Sequence, residues 1–220
     1  NARTALVFVC SPNNPTGAVA SVDDLRRLAT ALPGALLVLD AAYAEFADED
    51  LTGAALQHAN VVVVRTLSKA WGLASLRVGC ALGAPAVIAR LRALGNPLPV
   101  AGLAARVALQ RLATGDADLA DHVASVRDER RELAVLLQRL GARPASPAEG
   151  NFVLARGVDA PWLAAAAASL GVALRAFPDR ELLRDAVRIG LPGEPVAFAA
   201  LCRVLRAALA PEALLFDVDG

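Results

Sequence analysis

The stretch RTLSKAWGLASLRVG, residues 65–79, follows directly on the apolar run Val61 to Val64, so a buried strand hands over to a loop that carries Lys69. Lys69 is the sole lysine among 22 basic side chains, the other 21 being arginine. Arginine keeps its proton in a protein, whereas a lysine amine can lose it and attack a carbonyl carbon. Position alone leaves Lys69 equally readable as a surface lysine, and its neighbours decide. Two upstream segments repeat the pattern of a short apolar run ending in polar residues: ALVFVC (5–10) before SPNNPTG (11–17), and ALLVLD (35–40) before AAYAEF (41–46). Three strand ends thus present Asn14, Asp40 and Lys69, and ligand chemistry in α/β sheets gathers at such ends.

Each of these residues carries a physical demand. Asp40 closes a Val/Leu run, and a carboxylate there needs a cation or several donors; a protonated heteroaromatic nitrogen would serve. Asn14 precedes Pro15, which holds its backbone extended and limits where its amide can point. The Asn14–Pro15 bond is also a candidate for the cis form. Tyr43, the sole tyrosine, lies three residues beyond Asp40, and Arg77 lies eight beyond Lys69, suited to a phosphate.

The periodicity predicts strands at 5–10, 35–40, 61–65 and 78–83. A helix between the first two has Ser21 as N-cap, Asp24 in a capping-box position and its end near Pro33 and Gly34. This alternation defines an α/β chain with a doubly wound, mainly parallel sheet. Helices at 86–94 and 100–113 flank the break NPLP. A long helix from Asp116 to about Leu140, with Leu119, Val123, Val126, Leu133, Leu136, Leu137 and Leu140 on its apolar positions, leads into a smaller α+β carboxy-terminal domain. That domain reads as strand 151–155, helix 160–170, strands 172–176 and 186–191, and helix 196–209, with GARPASPAEG (141–150) a loop. The domain boundaries are then 1–113, 114–210 and a tail at 211–220.

With these residues in hand, the chain resembles the fold type I, pyridoxal-phosphate-dependent aminotransferases of class I/II, and within them the histidinol-phosphate branch. The motifs SPNNPTG, VLDAAYAEF, RTLSKAWGLASLRVG, NFVLAR and VRIGLP carry the resemblance, in the family's order, over residues 1 to about 209. It implies that Lys69 holds pyridoxal 5'-phosphate as an internal aldimine and moves the proton at the substrate's alpha carbon. By the same resemblance Asp40 pairs with the pyridinium nitrogen, and Asn14 and Tyr43 bond the ring's phenolic oxygen. Thr66, Ser68 and Arg77 bind the phosphate. Arg188, in the apolar strand AVRIGL, receives the substrate's alpha carboxylate; read by itself it is also an edge-strand arginine reaching solvent. Asn151 matches a position near the substrate. The implied reaction moves an amino group between histidinol phosphate and 2-oxoglutarate in histidine biosynthesis, with amino-acid and 2-oxo-acid substrates and a homodimer as partners. An aromatic amino acid aminotransferase and a phosphothreonine-type decarboxylase share the fold and stay open as alternatives.

Composition fits this reading. With 22 acidic and 22 basic residues there is no net field to attract nucleic acid, and no basic stripe with interleaved aromatics. The uncharged, strongly apolar stretch 160–174 is too short and alanine-rich to span a bilayer. Cys10, Cys80 and Cys202 fall in apolar runs and read as small buried residues of a reducing, cytoplasmic compartment. His58 and His122 lie apart on expected surface segments, and no complete metal site is indicated.

The chain has no methionine and opens at Asn1 directly before a strand. It therefore reads as an amino-terminally truncated fragment with an incomplete sheet, expected to be inactive, aggregation-prone and weak in cofactor binding on its own. The tail ALLFDVDG (213–220) is an apolar strand ending in Asp-x-Asp-Gly and resembles the opening motif of haloacid dehalogenase-like phosphatases, or an accidental acidic turn. In that family Asp217 would be nucleophile and Asp219 general acid, both serving magnesium. A non-catalytic module fused to a phosphatase is accordingly the other class of reading.

Overall fold

The computed structural model describes residues 3–96 and 100–210; the tail with Asp217 and Asp219, and Pro97 to Pro99 of the NPLP break, lie outside the described residues. The chain divides into two compact units. One holds the residues up to Ala124 together with Pro147–Gly150, the other Ser125–Ser146 together with the described residues from Asn151 on.

In the first unit β1 (Leu6–Cys10), β2 (Leu36–Asp40), β3 (Val61–Thr66) and β4 (Gly79–Gly83) form one sheet in that order. β1 pairs parallel with β2 and β2 with β3, whereas β4 returns antiparallel to β3, with Thr66 opposite Gly79. α1 (Val22–Ala31) crosses between β1 and β2. Its start is a reciprocal capping box, Ser21 Oγ accepting from Asp24 N at 3.1 Å and Asp24 Oδ2 accepting from Ser21 N at 3.2 Å. Its end is held by Asn60, whose side-chain amide donates to the carbonyls of Ala29, Leu32 and Ala35.

Strand alternation sorts the apolar residues to two faces. Leu37, Leu39, Val61 and Val63 turn to one face and are buried with Leu25 and Ala29 of α1 and with Leu51 and Ala55 beside the short helix α2 (Thr52–Ala55). On the other face of β1, Leu6 and Phe8 stay 49% and 66% exposed, and Cys10 is exposed with them. Cys80, on β4, is exposed too, so of the three cysteines expected to be buried only Cys202 is. An apolar run buries its residues only where something covers the face they occupy. His122 is half-buried instead of standing on the surface, its ring edge-on to Phe46 with centroids 6.0 Å apart. α3 (Pro85–Leu94) and α4 (Gly102–Thr114) follow, and α5 (Asp116–Arg139) runs from the first unit into the second.

The second unit is built on an antiparallel sheet, β5 (Arg143–Pro144), β6 (Phe152–Arg156), β8 (Ala186–Gly190) and β7 (Arg175–Ala176), in that spatial order. α6 (Ala160–Ser169) and α7 (Pro195–Leu209) complete it. Phe152 to Ala155, Val187, Ile189, Leu133, Leu137, Leu163 and Leu205 are among its buried residues.

Two expectations are corrected here. The tract 141–150 is not wholly loop, because Arg143 and Pro144 pair with Arg156 and Ala155 and Ala145 N donates to Leu154 O at 2.8 Å. Pro144, lacking an N–H, is tolerated because β5 lies at the sheet edge. The strand expected over 172–176 shrinks to Arg175–Ala176, because Val172 N is committed to the carbonyl of Ala167 and Gly171, at φ +83°, donates to Ala168 O, a Schellman end to α6.

Candidate active site

Backbone hydrogen bonds bring the three expected strand ends of the first unit together. Ser11 N donates to Asp40 O at 3.0 Å, which fixes the SPNNPTG turn to the end of β2. Ala41 N donates to Val64 O at 2.9 Å, which fixes the segment after Asp40 to the end of β3. The turn itself is tied by Thr16 Oγ1 to Asn13 Oδ1 and by Gly17 N to Asn13 O, with Asn14 exposed on it. Both Ser11–Pro12 and Asn14–Pro15 are cis.

Asp40 is half-buried, and one of its oxygens accepts from Ala42 N at 3.1 Å. Tyr43 is buried, and the exposed Lys69 places Nζ 5.3 Å from the centroid of its ring, a cation–π contact. The loop that carries Lys69 is short and closed: Gly72 N donates to Lys69 O and Leu73 N to Leu67 O. Thr66 Oγ1 accepts from Ser68 N, and the carbonyl of Val78 receives Leu67 N, so Arg77 is held beside Thr66 and Leu67. Arg77 has φ +55°, the one positive value among the described non-glycine residues. Such a backbone costs about 1–2 kcal/mol and, where it persists, the surroundings enforce it, often at a functional site. Its guanidinium is exposed and donates to Ala74 O.

The sequence reading missed a staple beside this loop. Glu45 Oε1 accepts from Arg65 at 2.9 Å and from Trp71 Nε1 at 3.2 Å; Arg65 also reaches Asp50 Oδ2 and Thr52 Oγ1, each at 2.8 Å. Loss of solvent lowers the affinity of Arg65 for its proton, but the bonds and charges of Glu45 and Asp50 outweigh that and leave its pKa raised. The signal was legible: an arginine closing the run VVVV demands a buried anion. Glu45, Arg65 and Trp71 also line an apolar cavity of about 590 Å³ that extends to Leu82, Leu109 and Leu112 and does not include Lys69.

Arg188 and Asn151 belong to the second unit. Arg188 is half-buried on β8, its guanidinium 5.4 Å from the Phe152 ring centroid. Directly opposite it in register stands Arg175, 5.8 Å from the Phe177 ring centroid. That pairing, too, escaped the sequence reading, because nothing in a 13-residue separation reveals a register. Asn151 precedes β6 and accepts from Leu191 N through its carbonyl. Among the described residues no cluster of His, Cys, Asp and Glu could hold a metal ion, and no helix is long and apolar enough to cross a membrane.

The donor set fits one kind of group. A single amine, a carboxylate, a phenol, an amide, two hydroxyls and a guanidinium at adjoining strand ends suit a planar ring that bears an aldehyde, a basic nitrogen and a phosphate.

Residues 1–208 match the aminotransferase class I and II family, and the chain belongs to that family. It is 41% identical over 194 residues to a histidinol-phosphate aminotransferase of Stenotrophomonas maltophilia, covering 86% of this chain and 53% of that protein. It is 39% identical over 210 residues to an aromatic amino acid aminotransferase of Mycobacteroides abscessus, covering 92% and 58%. The crystal structure of histidinol-phosphate aminotransferase from Sinorhizobium meliloti in complex with pyridoxal-5'-phosphate superposes with a TM-score of 0.77 at 29% identity, over 92% of this chain and 57% of that one. The fold is that of the fold type I enzymes, with its mainly parallel sheet. The chain spans about half the length of the curated relatives it matches.

Proposed function

We propose that this chain is the lysine-bearing part of a pyridoxal-phosphate-dependent aminotransferase acting on histidinol phosphate and 2-oxoglutarate. The observation that carries the reading is the placement of the only lysine amine over Tyr43, on a loop whose strand adjoins the one ending in Asp40. When bound, pyridoxal phosphate supplies an aldehyde carbon and a ring able to accept an electron pair. Lys69 Nζ would hold the cofactor at that carbon and would move the proton at the substrate's alpha carbon. The Asp40 carboxylate would hold a proton on the ring nitrogen. Tyr43 and Asn14 donate to the ring's phenolic oxygen, and Thr66, Ser68 and Arg77 bind its phosphate. Arg188 receives the substrate's anionic group, and Asn151 stands near the substrate. In this reading the first unit is part of the cofactor-binding large domain and the second is the small domain. The enzyme is a cytoplasmic homodimer of histidine biosynthesis.

The aromatic reading has its own support in the relative from Mycobacteroides abscessus. What favours histidinol phosphate is the pair Arg175 and Arg188. They stand opposite each other in register, and two cations on neighbouring strands suit a dianionic phosphate better than the single carboxylate of an aromatic amino acid. The test is transamination, comparing histidinol phosphate with phenylalanine. Arg175→Ala should raise KM for histidinol phosphate at least about tenfold and leave KM for phenylalanine nearly unchanged; equal effects on both favour the aromatic reading. For the tail we retain Asp217 and Asp219 as candidate magnesium ligands, to be tested by magnesium titration of wild type against Asp217→Asn and Asp219→Asn.

A further inference from the structure

We infer that Glu45 is a positioning residue that sets the placement of Lys69 against Tyr43, an inference that rests on the cofactor-site reading of Lys69. The carboxylate side chain is nine-tenths buried, and a single oxygen, Oε1, receives two donors that bracket the lysine. Arg65 lies four residues before Lys69 and Trp71 two after it, so both ends of the loop are tied to one atom. Glu45 itself lies two residues beyond Tyr43, on the segment fixed to the end of β3 through Ala41 N. The loop that presents the amine and the segment that presents the phenol are thereby fastened to each other by a contact independent of the sheet ladder.

The second oxygen, Oε2, is buried without a hydrogen-bond partner among the described residues. Asp50, by contrast, meets Arg65 from a position 48% exposed, where solvent screens the pair, and the hydrogen bond to Trp71 is made by Glu45. Glu45 and Asp50 thus share Arg65 and differ in whether they also hold Trp71, which separates loop positioning from mere charge neutralisation of Arg65.

The experiment compares wild type, Glu45→Gln and Asp50→Asn in the full chain. Two readouts are used: the rate at which pyridoxal phosphate with borohydride labels Lys69, and the emission of Trp71 in a Trp162→Phe background, which leaves one tryptophan. Thermal melting establishes that each variant is folded at the assay temperature. Glu45→Gln should label about tenfold or more slowly and shift the Trp71 emission, whereas Asp50→Asn should match wild type in both. If Glu45→Gln fails to fold, Glu45→Asp takes its place: it keeps the charge but is one methylene too short to meet both donors, and the same slowing is expected. Labelling at the wild-type rate in the Glu45 variant, or equal slowing in Asp50→Asn, overturns the inference. Absence of Lys69 labelling in wild type would instead overturn the cofactor-site reading on which it rests.

Discussion

Lys69 Nζ lies 5.3 Å from the centroid of the Tyr43 ring, although the two residues come from loops that follow different strands. The contact joins the only lysine of the chain to its only tyrosine, so both can be followed in solution without ambiguity.

Borohydride reduction in the presence of pyridoxal phosphate should label one lysine-containing peptide, that of Lys69. Lys69→Arg should lose the label and, in any active preparation, transamination as well, because a guanidinium keeps its proton and cannot add to the aldehyde. Peptide mass mapping checks this; label at the amino terminus alone, with Lys69 unmodified, would refute it.

Asp40→Asn should leave labelling of Lys69 possible but lower turnover by about two to three orders of magnitude, since a preorganised charge contributes roughly 3–4 kcal/mol at a transition state. Cofactor affinity should weaken far less. Steady-state kinetics together with cofactor titration distinguishes the two; a turnover within a factor of about two of wild type means that Asp40 does not pair with the ring nitrogen.

Gly17→Ala should destabilise the first unit by about 2 kcal/mol or more. Gly17 has φ +76°, and a Cβ there would stand 2.8 Å from the Ala148 Cβ and 3.0 Å from Glu149 N. The added methyl would also strain the bond from Glu149 N to Gly17 O, now 2.7 Å. Urea denaturation measures the cost, and an unchanged midpoint would show that the turn relaxes freely.

Glu129, buried on α5, accepts from Gly193 N at 2.8 Å. Burial pushes its carboxyl pKa up, more than the backbone N–H groups of Gly193 and Glu194 bring it down. A carboxyl whose pKa is higher folded than unfolded contributes stability below its unfolded pKa, and that contribution is lost as pH rises through the raised value. Glu129→Gln keeps an acceptor for Gly193 and carries no charge. Its stability relative to wild type should therefore increase as pH goes from about 4 to about 7. A pH series of urea midpoints tests this, and a difference that stays constant across the series would contradict it.

Much of the first unit could be read locally. Short apolar runs that end in polar residues located β1, β2 and β3, and Ser21 with Asp24 located the start of α1, because such runs and caps are set within a few residues. The strand ends carrying Asn14, Asp40 and Lys69 were legible for the same reason. What failed depended on partners outside the run being read. The short strand β5 exists only because β6 lies beside it, and β7 is cut short because the Schellman end of α6 takes the N–H of Val172. Cys10 and Cys80 are apolar by context yet exposed, since burial depends on what covers a face and not on the residues along the strand.

The sequence by itself determined which side chains are available for chemistry: one amine, one phenol, a carboxylate at a strand end and an arginine in an apolar strand. Those identities follow from side-chain chemistry and spacing alone. Only the tertiary structure decided which of them meet. Tyr43 under Lys69, Glu45 between Arg65 and Trp71, Arg175 opposite Arg188 and Glu129 at Gly193 are contacts across sequence gaps of 13 to 64 residues. Such contacts are set by sheet register and loop closure, which depend on the whole chain having folded.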